Sequence, residues 1–117
     1  MSTIKFDTWR NSDNTENGKV RALVNFNGTG TVAIRRAINV SSITDNGVGD
    51  YTINFTSALP SADYCVGACG DNSGASAFLS FLRTNAALPT TTSVRVGFTS
   101  SAFVSTDVTY GNVIVAH

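Results

Sequence analysis

Apolar and polar residues take turns along much of this chain, and a period of two is the mark of a strand with one buried face. The clearest stretch is residues 40–55, VSSITDNGVGDYTINF, where Tyr51, Ile53 and Phe55 alternate with Thr52 and Asn54. Asp45, Asn46, Gly47 and Gly49 precede that alternation and are residues that tolerate positive φ, so the segment reads as a β-hairpin.

The same pattern recurs on both sides of it. Residues 19–26 place Val20, Ala22, Val24 and Phe26 on one face, and residues 27–30 then form a turn. Residues 31–40 carry Val32, Ile34 and Ile38, but Arg35 and Arg36 break the alternation, which a bulge or a sheet-edge position absorbs. Pro60 makes residues 58–63 a connection, with room for one turn of helix. Residues 64–69 are extended, residues 70–74 are a small polar loop, and residues 77–83 are expected to carry Phe78, Leu79, Phe81 and Leu82 into the core. After a loop over residues 85–92, Val94, Val96 and Phe98 alternate with Arg95 and Gly97, and residues 108–115 close the pattern with Tyr110, Val113, Ile114 and Val115. About eight extended segments at roughly ten-residue spacing predict an all-β fold, an antiparallel β-sandwich or small barrel with very little helix.

Residues 1–18 stand apart from residues 19–117. Ile4 and Phe6 alternate with Lys5 and Asp7 as far as Trp9, whereas residues 11–18 have no apolar side chain and read as a solvated linker. Two outcomes follow for Ile4, Phe6 and Trp9. They fold back as an edge strand, or they dock onto a neighbouring subunit or carrier by strand addition, as a candidate assembly interface.

Composition sharpens this picture. Charged residues are only 14% of the 117, while Ser and Thr number 28, which suits β-structure and turns rather than solvent-facing helices. Eight basic and eight acidic residues cancel and are scattered, so no basic stripe is available to a nucleic acid. No apolar run is long enough to span a bilayer, and residues 1–8, MSTIKFDT, lack the apolar centre of a signal peptide, so synthesis in a cytoplasm is expected.

Candidate chemistry is sparse. On a strand, Cys65 and Cys69 would be roughly 13 Å apart, beyond disulfide reach, and read as two free thiols on one face. His117 is the single histidine, so neither a metal centre nor a nucleophilic triad is expected, and no cofactor is implied. A glycosidase needs only two carboxylates, and Asp45, Asp50, Asp63, Asp71 and Asp107 are the available ones; four of these lie in or beside turns, where Asp caps local backbone. The same preference assigns Asp45-Asn46-Gly47 and Asp71-Asn72-Ser73 to turns rather than calcium loops, and residues 27–31 to a turn rather than a phosphate cradle. Arg35 and Arg36 read as solvated rim residues. On composition, residues 70–75, with Asp71, Asn72 and Ser73, are the candidate receptor loop.

Residues 24–35, VNFNGTGTVAIR, and residues 40–55 together resemble a module common in tail-fibre and other virion structural proteins of bacteriophages, notably those infecting cyanobacteria. The start of the chain looks like the N-termini of such proteins, and relatives have an aromatic where Leu23 stands. The resemblance implies a non-enzymatic virion protein: a tail-fibre or appendage module, commonly a homotrimer, held by other virion proteins and attaching to a host-surface glycan or protein. Two alternatives stand beside it, a capsid decoration or cement protein and a monomeric lectin-like domain.

Overall fold

The computed structural model describes residues 2–72 and 78–117. Among them are eight strands, β1 Val20–Asn27, β2 Ala33–Ile38, β3 Val40–Gly47, β4 Asp50–Phe55, β5 Cys65–Asp71, β6 Phe78–Leu82, β7 Ser93–Ser100 and β8 Tyr110–Ala116, and no helix. They form two four-stranded antiparallel sheets, ordered β2-β1-β8-β5 and β3-β4-β7-β6. The sheets face each other as a β-sandwich, the predicted fold class.

The core is what the alternation supplies. Ala22, Val24 and Phe26 of β1 and Val113 and Val115 of β8 meet Tyr51, Ile53 and Phe55 of β4 and Val94, Val96 and Phe98 of β7. Three rings join the layers edge to face, with centroids 5.1 Å apart for Phe26 and Tyr51 and 6.0 Å for Tyr51 and Phe98. Each such burial contributes about 1.5–3 kcal/mol, so these strands are held mainly by what lies between them.

Two corners decide how the layers join. Asn39, at φ 54°, turns the chain from β2 into the other sheet, and its side chain bonds Arg21 O at 3.1 Å and Ser57 N at 2.7 Å. At the far end of the hairpin, Gly49 sits at φ +65°, and a Cβ there would lie 2.5 Å from the carbonyl oxygen of Phe98. Asp107 closes this end: one carboxylate oxygen accepts from Gly49 N at 2.8 Å and from the Tyr51 hydroxyl at 2.9 Å. Burial and that neighbouring carboxylate push the Tyr51 hydroxyl well above its ordinary pKa, so it stays a donor.

Three expectations are corrected. Ile4, Phe6 and Trp9 form no strand; residues 9–17 make a small hairpin with a bridge between Arg10 and Glu16, held by its own side chains. Too few partners flank Ile4 and Phe6 for their alternation to build a ladder. Gly70 and Asp71 continue β5, because Gly111 and Tyr110 of β8 remain opposite them. Finally, only Phe78 of β6 packs on the core: alternation turns Leu79 and Phe81 outward, and Leu82 is half-exposed on an edge strand. The break at Arg35 and Arg36 is a bulge on an edge strand, with Asn25 opposite Arg36 and Phe26 opposite Ile34.

Candidate functional site

The outer face of β2-β1-β8-β5 is apolar at its centre. Leu23 of β1 lies opposite Ile38 of β2 and Ile114 of β8, and Ile114 in turn lies opposite Gly67 of β5. Ile114, on an inner strand, and Ile38, at the end of the β2 edge strand, are each 46% exposed. Because Gly67 has no side chain, the face is hollow there, with a volume of about 420 Å³ between Leu23, Arg36, Cys69, Asn112 and Ile114. Two of its polar side chains bond each other, with Asn25 Nδ2 donating to Asn112 Oδ1 at 2.6 Å. Cys65 and Cys69 open onto this face as free, exposed thiols. Arg35 and Arg36 stand on the β2 edge and Asp71 on the β5 edge, while Arg21 lies near the start of the inner strand β1.

The outer face of β3-β4-β7-β6 is built differently. Asn54 Nδ2 donates to Ser42 Oγ at 3.1 Å and Thr44 Oγ1 at 3.0 Å, and Asn46 Nδ2 to Thr52 Oγ1 at 2.7 Å, so amides and hydroxyls lace it together. Both oxygens of Asp50 are taken by the Arg95 fork at 2.8 and 2.7 Å. Those bonds outweigh the effect of burial and hold the Asp50 carboxyl below the usual range. Beside the pair, Phe81 and Arg83 lie over Gly97, where a Cβ would be 2.6 Å from Phe81 Cζ and 2.8 Å from Arg83 Nε.

The residues nominated from sequence fall at opposite ends of the first sheet. Ile4, Phe6 and Trp9 are exposed, with Phe6 edge-on to Trp9 at 6.1 Å and the Lys19 ammonium 5.7 Å from the Phe6 ring. Lys19 exchanges backbone bonds with His117 beyond the end of β8, whereas Asp71 pairs with Tyr110 at its start. Asp71 caps Asn72 N at 2.7 Å, and Ser73 lies outside the described residues. Arg35 is less free than a rim residue, since its guanidinium covers the Tyr110 ring at 4.2 Å and donates to Thr109 O at 2.8 Å.

The carboxylates do not converge on an empty space. Asp50 binds Arg95, Asp107 binds Gly49 and Tyr51, Asp45 caps Gly47 N at 3.0 Å, and Asp71 caps Asn72. Ser61 Oγ stands 2.8 Å from His117 Nε2, a contact that composition alone did not suggest. No carboxylate bonds that imidazole among the described residues, so the pair lacks the orienting acid of a nucleophilic triad. Among the described residues no three His, Cys, Asp or Glu side chains gather as metal ligands, and no helix is long and apolar enough to cross a membrane.

The described residues thus present two contrasting outer faces. No protein-family model matches the chain, and neither a curated protein nor a solved structure matches it.

Proposed function

We propose that this chain is a bacteriophage virion module, part of a tail fibre or similar appendage, that assembles as a homotrimer and attaches the particle to a host cell surface without catalysis. The observation that carries the proposal is the apolar outer face of β2-β1-β8-β5, where Leu23 and Ile114 line a 420 Å³ hollow and Ile38 stands exposed opposite Leu23. A second copy of the chain is its occupant. Basic Arg36 at the β2 edge and acidic Asp71 at the β5 edge suit a head-to-tail contact, in which one edge meets the other edge of the next copy and rotation closes a ring. The exposed Ile4, Phe6 and Trp9 then serve as anchors to another virion protein, and the laced polar face stays in water.

Size exclusion with light scattering tests the assembly. At micromolar concentration the expected mass is three copies of the 12.3 kDa chain, and a strictly monomeric particle would overturn the proposal. Antibody labelling of virions, expected at the tail, separates a fibre from a capsid decoration.

A further inference from the structure

We infer that the outer face of the second sheet holds a binding site for a carboxylate-bearing sugar, centred on Arg83 and Phe81. For the source of that sugar the inference rests on the host-surface reading above. Its chemistry rests on the site.

Two guanidinium groups share a single carboxylate here. Arg95 saturates both Asp50 oxygens, which leaves Arg83 Nε 3.5 Å from Asp50 Oδ2, too far and too poorly aimed for a hydrogen bond. Arg83 Nε is buried against Asp50 as an ion pair without a hydrogen bond, and among the described residues the guanidinium makes one hydrogen bond, a long one of 3.4 Å from Nη2 to Ser105 Oγ. With Nε turned to Asp50, the Nη1 and Nη2 end of the guanidinium is the part a ligand can reach, and a planar pair of donors with a net positive charge is what a carboxylate meets in bidentate form. One surplus charge is a modest field, better matched to a single carboxylate than to a phosphate dianion.

The surroundings favour a sugar as the bearer of that charge. Phe81 is 40% exposed, an aromatic ring on a flat sheet face, and the Arg83 guanidinium stands 5.2 Å from its centroid. The weakly positive C–H face of a pyranose packs on such a ring. Thr99, the next outward residue of β7 after Gly97, is only 8% exposed, and its hydroxyl has no hydrogen-bond partner among the described residues. Thr99 bridges to Ser105, the residue that Arg83 reaches, so the hydroxyl and the guanidinium flank the same residue. Between Thr99 and Ser105 the chain turns through Phe103, held at φ 62° with 78% of its surface in solvent, a strained backbone that keeps a second aromatic exposed. Few polar groups, fixed in place and next to an aromatic, make up the usual recipe of a sugar subsite.

The test is a proton–nitrogen correlation titration of the intact chain. Its probes are tetragalacturonate, sialyllactose, the carboxyl-reduced counterpart of tetragalacturonate, and tetraglutamate. The expected result is shifts at Phe81, Arg83, Gly97, Thr99 and Ser105 with at least one acidic sugar, and affinity at least tenfold lower for the carboxyl-reduced oligomer and for tetraglutamate. Arg83→Gln and Phe81→Ala are each expected to weaken that binding at least tenfold while the melting temperature and the oligomer mass stay put. Should Phe81→Ala fail to fold, Gly97→Ala displaces both side chains from the opposite strand and is expected to do the same. The inference is overturned by no shifts with either acidic sugar, by shifts confined to the other sheet, by equal binding of tetraglutamate, or by variants that bind like the wild type. Host-cell attachment unchanged in Arg83→Gln would also overturn it and leave the fibre reading standing, whereas a monomeric wild type would strike the fibre reading alone.

Discussion

The two outer faces come from the same alternation, yet one is greasy at its centre and the other is laced with hydrogen bonds. On β1 and β8 the outward positions hold Leu23 and Ile114, with an asparagine pair between the two strands one step further along. On β3 and β4 they hold Ser42, Thr44 and Asn54, which bond to one another, and Thr52, which accepts from Asn46. Outward positions do not stabilise the monomer by burial, so what stands there reflects what the face meets. A face that satisfies its own polar groups tolerates water, and a face with exposed aliphatic side chains at its centre asks to be covered.

Breaking the apolar face has the largest expected effect. Ile114→Lys would place an ammonium where the copies meet, and the dissociation constant should rise at least a hundredfold by light scattering, with the monomer's melting temperature little changed. Tyr51→Phe instead weakens the body that holds both faces. Its hydroxyl serves Asp107, Gly28 O and Val108 N, so its loss should cost about 2–3 kcal/mol in denaturant unfolding.

The polar face is sharpened by acid. The Asp50 carboxyl is held below its ordinary pKa by Arg95, so its stabilisation is complete above about pH 4 and fades as pH falls through the lower folded value. Asp50→Asn should remove about 1–2 kcal/mol at neutral pH and flatten the melting-temperature profile below pH 4, without dissociating the oligomer. A charge swap at the edges has the smallest effect. Arg36→Asp should weaken assembly by about 0.2–1 kcal/mol, and adding Asp71→Arg should restore it.

Much of this architecture was legible because burial on one face writes itself into a period of two. The hairpin at residues 40–55 became β3 and β4, and Val94, Val96 and Phe98 became the inward side of β7. The run Phe78-Leu79-Ser80-Phe81-Leu82 was not legible in the same way, since apolar residues stand at both parities and nothing local says which face is wet. That ambiguity hid Phe81, and with it the cluster around Arg83, which forms only when β6 lies beside β7. Ile4 and Phe6 mislead for the opposite reason, because alternation predicts a strand only where a neighbour is present to pair. Asp71 looked like a loop residue by type, and cross-strand pairing with Tyr110 kept it in β5.

The chain carries its own reporters for the difference between the faces, since Cys65 and Cys69 are exposed thiols on the apolar side alone. Alkylation of these thiols under native conditions, followed by mass spectrometry across protein concentration, measures directly whether that face is covered. The account predicts labelling at least tenfold slower at assembling concentrations than in dilute solution, with fast labelling regained in Ile114→Lys. Equally fast labelling at every concentration would contradict it.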